Sequence, residues 1–155
     1  MKKSLLGLLL AVSLVLVGCT VKTGTSLGLN IENTVFATVG ADDKLTVVDT
    51  PEFNRGDQVA YVLMNVGTFK KGEDGLNKFD IDMLVTDSAG KVILNEVNLL
   101  GDAGHTALPN DIAESPYGIF VTTPELDAGK YNMKLTITDK VSGGLATSTG
   151  SLTLK

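Results

Sequence analysis

Apolar and polar residues alternate with a period of two along much of this chain. Phe79, Ile81, Met83 and Val85 fall on one face, with Asp80, Asp82 and Thr86 on the other. That is the pattern of a strand with one buried and one wet side. Tyr131, Met133, Leu135 and Ile137 repeat it over 131–139. Residues 34–39, 44–48, 91–99 and 119–123 read as shorter strands, and 145–154 as a final one. Residues 58–66 differ, because Val59, Tyr61 and Leu63 oppose Ala60, Val62 and Met64. A strand apolar on both faces belongs in the middle of a sheet.

Turn signals punctuate these runs. Gly40-Ala41-Asp42-Asp43, residues 51–57, Asp87-Ser88-Ala89-Gly90 and Ser142-Gly143-Gly144 each supply Gly, Asp, Pro or Ser between apolar segments. No amphipathic helical period is present after residue 33. The expectation is an all-β fold, an antiparallel sandwich of seven to eight strands over 34–155. The segment Asp127-Ala128-Gly129-Lys130-Tyr131-Asn132-Met133 resembles the D-x-G-x-Y-x-C signature of immunoglobulin domains. The resemblance implies a tyrosine corner, in which the Tyr131 hydroxyl bonds back to upstream backbone. Met133 stands where the cysteine of that signature would be, so no inter-sheet disulfide is possible.

The amino terminus follows a different rule. Lys2 and Lys3 precede thirteen uncharged residues, 5–17, and small Gly18 leads to Cys19, the one cysteine. A positive start, a short apolar run and a small residue make a secretory signal, here residues 1–18. As a helix the run spans only about 20 Å, short of the roughly 30 Å hydrocarbon core. Leu16-Val17-Gly18-Cys19 resembles the lipobox of bacterial lipoproteins. The resemblance implies that Cys19 is lipidated and becomes the first residue of the mature chain, with several acyl chains attached. One chain holds a protein to a bilayer only marginally, whereas two or more anchor it. Thr20, in place of aspartate, implies the outer membrane. Residues 19–33, rich in Thr, Gly and Asn, are expected to form the lipidated cysteine and a flexible tether.

Charge narrows the partners. Loss of Lys2 and Lys3 with the signal takes the formal net charge from −5 to −7. No basic cluster remains, so nucleic acid is not an expected partner. Tryptophan is absent and aromatic residues make up 5% of the chain, which weakens a sugar-stacking site.

Chemistry-bearing residues are few. His105 is the one histidine, so a multi-histidine metal site is not available. A Ser-His-Asp triad would have to join it to Asp102 or Asp111 and to Ser115, without a G-x-S-x-G elbow. A solvated loop histidine is expected instead, and no enzyme or cofactor. Asp80 and Asp82 with Asp87, or Asp42 with Asp43, are too few ligands for calcium; Asp80 and Asp82 read as the wet face of a sheet. Arg55-Gly56-Asp57 spells an integrin-binding tripeptide but sits where a turn must feed a strand.

The stretch 100–117, holding Gly101, Gly104, Pro109 and Pro116, shows no alternation and is long for a structureless loop. Its Asp102, His105, Leu108, Asp111 and Ile112 form the candidate interaction loop, with 68–78 as a second end loop. The final strand, with small Ala146, Ser148 and Gly150 on one face, is a candidate edge for strand addition. The functional expectation is a non-catalytic binding or structural module, anchored to the membrane by lipid and meeting an envelope protein. A surface adhesin and a small-ligand or calcium binder are the alternatives.

Overall fold

In a computed structural model the described residues are 25–108 and 115–155. The signal segment, Cys19, Asp111 and Ile112 lie outside them. Two sheets pack face to face as an antiparallel, immunoglobulin-like sandwich. One sheet contains β1 (Thr25–Leu27), β11 (Leu145–Leu154), β10 (Gly129–Asp139), β6 (Asn77–Asp87) and β7 (Val92–Glu96), in that spatial order. The other runs β3 (Leu45–Val47), β2 (Asn33–Val39), β5 (Gln58–Met64), β9 (Tyr117–Val121). Two more short strands join the first sheet. Of these, β4 (Glu52–Phe53) runs parallel to the end of β11, and β8 (His105–Thr106) pairs with the start of β6. Seven of the strands are five residues or longer, which matches the expected count; the rest are edge fragments of two or three.

The central position expected for 58–66 is correct, since β5 lies between β2 and β9. Its Val59, Tyr61 and Leu63 enter the core between the sheets, with Phe36, Met133, Leu135 and Leu152. Its opposite side, Ala60 and Val62, joins Ala37 in a second apolar cluster on the outer face of the four-stranded sheet. Both faces of β5 are therefore apolar for separate reasons.

The small residues of β11 do not mark an open edge. Ala146, Ser148 and Gly150 point inward, and Gly150 makes room for the stacked rings of Phe36 and Tyr61, whose centroids lie 4.7 Å apart. The Tyr61 hydroxyl is satisfied by Ser148 Oγ at 2.9 Å. β10 covers one side of β11, while β1 covers its first residues and β4 its last on the other. The sequence reading of this strand as an edge is thus narrowed, since among the described strands only the stretch 148–152 is left without a partner on that side. Its small side chains answer to aromatic bulk on the facing sheet.

The tether boundary also moves. Residues 25–27 already pair with β11, Leu29 is buried, and Ile31 packs against the core. The folded domain therefore includes residues 25–33 and does not start at 34. Alternation of Leu27, Leu29 and Ile31 was the available signal, masked by the surrounding Gly, Thr and Asn.

The immunoglobulin-type corner is present: Tyr131 donates its hydroxyl to the Asp127 carbonyl at 2.7 Å. Burial, with Asp127 and Asp87 nearby, pushes that phenol up from its ordinary value. Tyr131→Phe is expected to cost about 1–1.5 kcal/mol in urea denaturation. An unchanged midpoint would show that the corner contributes shape and no energy.

Candidate interaction site

Three buried polar side chains organise the loops at one end of the sandwich. Asn77 donates to the carbonyls of Phe69 and Lys70 and accepts the Leu108 N–H at 3.0 Å. Asp80 accepts the N–H groups of Ile81 and Leu100 and the Lys140 ammonium at 2.7 Å. Asp139 accepts the N–H groups of Lys70, Val141 and Ser142 and the Ser142 hydroxyl. Burial pushes the Asp80 and Asp139 carboxyls up, but their hydrogen bonds pull harder and leave both below the usual range. Placing Asp80 on the wet face is thus corrected. Alternation predicts which way a side chain points, and a loop crossing the strand then buries it. The same loop brings the Asn98 N–H to Asp82 at 2.9 Å.

The candidate loop is more structured than its composition suggested. A 3-10 turn, Gly101–Gly104, leads into β8, which places His105 opposite Lys78. Gly104 lies against β6 so closely that a Cβ would come within 1.9 Å of the Phe79 carbonyl oxygen. His105 pairs with Asp74 at 2.8 Å, and Lys78 reaches the same carboxylate at 3.3 Å. The Leu76 N–H and the His105 ring, helped by Lys78 against a counteracting desolvation, hold Asp74 at about 2. The partner of His105 is therefore Asp74, a residue outside the proposed triad. Ser115 lies elsewhere, accepting the Asn65 N–H at 3.3 Å. Asp102 is exposed, and Leu108 is held through its backbone to Asn77. Of the candidate loop residues, His105 and Leu108 tie the loop to β6.

Other singled-out carboxylates are similarly engaged. Asp87 accepts the N–H groups of Ala89 and Lys91 in its turn, and Asp42 pairs with Lys44. Among the described residues no group of three or more His, Cys, Asp and Glu could hold a metal ion. The Arg55-Gly56-Asp57 turn lies at the surface but is tied into the domain's own hydrogen bonds. The Arg55 guanidinium spans the carbonyls of Lys155, Pro124 and Leu126, and Gly56 takes a φ of 98° while donating to Thr122 Oγ1.

What sequence reasoning missed is the edge at β9. Exposed apolar side chains gather on edge strands, with Val47 on β3, Val92 on β7, and Tyr117 and Val121 on β9 at 44% and 57% exposure. β3 is only three residues long, and β7 carries Glu96 and faces a register shift at Val85/Thr86. Short length, charge and bulges protect edges from pairing. β9 has none of these protections: 116–124 read PYGIFVTTP, without a charge. The two prolines bracket the strand and do not interrupt it. Strand neutrality was legible in the sequence, but edge position was not.

No protein-family model matches this chain, and no curated protein does. Among solved structures it is similar to the C-terminal domain of Wzt, seen in a crystal structure. The two share 13% sequence identity and a TM-score of 0.59, over 86% of this chain and 78% of that one. The likeness extends to fold, and supports an all-β sandwich.

Proposed function

We propose that this chain is a non-catalytic binding module of a bacterial cell envelope, moored by lipid on Cys19 and facing the periplasm or exterior, most simply at the outer membrane. The observation that carries the mooring is the single cysteine closing an uncharged run at Leu16-Val17-Gly18-Cys19. Binding is supported by the neutral, unprotected edge of β9 beside an apolar sheet face. The polar side chains at the loop end hold backbone groups, which suits a scaffold better than a reacting centre. An envelope protein is the expected partner, adding a strand by β-augmentation.

Mass spectrometry of the chain recovered from bacterial membranes tests the mooring. The amino-terminal peptide should begin at Cys19 and carry the mass of a diacylglyceryl group. Cys19→Ser should move most of the protein from the membrane fraction to the soluble one. An unmodified thiol at Cys19 would sink this reading.

A further inference from the structure

The register of β9 settles where its hydrogen-bonding groups point. Tyr61 lies opposite Gly118, and Val59 opposite Phe120. At the two ends, Leu63 N–H donates to the Pro116 carbonyl at 2.9 Å and Thr122 N–H to the Asp57 carbonyl at 3.0 Å. Bonded positions in an antiparallel pair alternate. Residues 116, 118, 120 and 122 therefore face β5. Tyr117, Ile119 and Val121 turn their N–H and C=O groups to the outer side, where β9 is the last strand of its sheet among the described residues.

We propose that this edge pairs with the same edge of a second copy, two-fold symmetric about Ile119; the proposal rests on the binding-module reading above and names its partner. The open positions are spaced evenly around Ile119, so rotation sets 119 opposite 119, and 117 opposite 121, on the two chains. All the outward groups then meet as bonded pairs, forming about six inter-chain hydrogen bonds. Symmetry of this kind lets one surface serve both subunits. Side chains agree with it, because Tyr117 meets Val121 and Ile119 meets Ile119, aromatic or β-branched pairs that stabilise facing strands.

Charge permits a second copy here. The chain is acidic overall, at −5, so self-association requires a contact surface free of carboxylates. The stretch 116–124 is such a surface. Pairing also joins two apolar outer faces, extending each cluster of Ala37, Ala60, Val62 and Ile119 across the junction. The area is that of one strand, on the order of several hundred Å² and small for a stable complex. Association of the free chain is therefore weak, and tethering both copies to one membrane raises their effective concentration.

The test is sedimentation of the purified full chain in detergent, with Ile119→Lys, Ile119→Glu and an equimolar mixture of the two. The unaltered chain should show a concentration-dependent dimer. Each variant alone places like charges opposite one another, and the dissociation constant should rise at least about tenfold. The mixture should recover the dimer. Val121→Pro removes an N–H that β5 does not use, so it should abolish pairing without disturbing the domain. It serves if the residue 119 variants misfold. A chain that stays monomeric to about millimolar concentration, or dimers that persist in Val121→Pro and both charge variants, would overturn the proposal. If the chain is monomeric and Val121→Pro instead abolishes capture of an envelope protein, the binding-module reading stands and self-pairing fails. Lipid on Cys19 is read independently by mass.

Discussion

Asp139→Ala is expected to lower stability by about 3 kcal/mol, the largest loss of any single polar truncation in this domain. The carboxylate is 1% exposed and accepts from Lys70, Val141 and Ser142 backbone N–H groups at 2.8, 2.9 and 3.3 Å, and from the Ser142 hydroxyl at 2.6 Å. Alanine leaves these donors without an acceptor, and it releases two loops at once, the one near Lys70 and the turn after β10. Asp139→Asn should lose roughly half as much, because its carbonyl oxygen keeps one set of donors while its amide opposes the other. Urea denaturation at neutral pH measures both. A loss under about 1 kcal/mol for alanine would mean that water replaces the carboxylate readily.

The same residue makes a pH prediction with a definite sign. Its folded pKa lies below the ordinary value. The stabilisation is therefore complete above the unfolded carboxylate value, near pH 4, and disappears as pH falls through the lower folded one. Asp80, shifted the same way, adds to that acid limb. Stability of the unaltered domain should decline below about pH 4, and Asp139→Ala should flatten the decline. A parallel decline in both proteins would assign acid sensitivity to other groups.

Gly150→Ala is the second large effect, expected at about 2–3 kcal/mol or roughly 8–12 °C in melting temperature. The added Cβ would lie 2.7 Å from a Tyr61 ring carbon and within 2.9 Å of two Phe36 ring carbons. Neither ring can step aside: both are nearly fully buried, they stack on each other, and the Tyr61 hydroxyl is held by Ser148. Thr149→Ser, on the other face of the same strand, should change stability by less than about 0.5 kcal/mol. If ring crowding is the cause, Phe36→Leu introduced beside Gly150→Ala should cost less than it does alone. Additive losses in that double-mutant cycle would point to backbone conformation instead.

The contrast between these sites and the sequence is instructive. Phe79 to Val85 and Tyr131 to Ile137 announced themselves by alternation, and the corner at Tyr131 was implied by the resemblance of 127–133 to the immunoglobulin signature. Such features are local, since a strand's period and a turn's chemistry lie within a few residues. Asp80 looked like surface by the same logic and is buried, because the chain near Leu100, twenty residues away, crosses over it. His105 found Asp74, not Asp102 or Ser115, through a strand pairing that spacing does not predict. Gly150 read as an edge because nothing nearby in sequence requires a small residue. The requirement comes from Phe36 and Tyr61 on the opposite sheet.

The chain alone determined the all-β class, the positions of the main strands and, through its resemblance to the immunoglobulin signature, the tyrosine corner; lipid on Cys19 is a proposal from the same sequence. Period, turn propensity and signal composition are short-range properties, and each can be read in a window of about ten residues. Strand order belonged to the tertiary structure, and with it the choice of β9 over β11 as the open neutral edge. Which edges remain unpaired depends on contacts between distant segments, and a backbone N–H carries no mark in the sequence of where it will point.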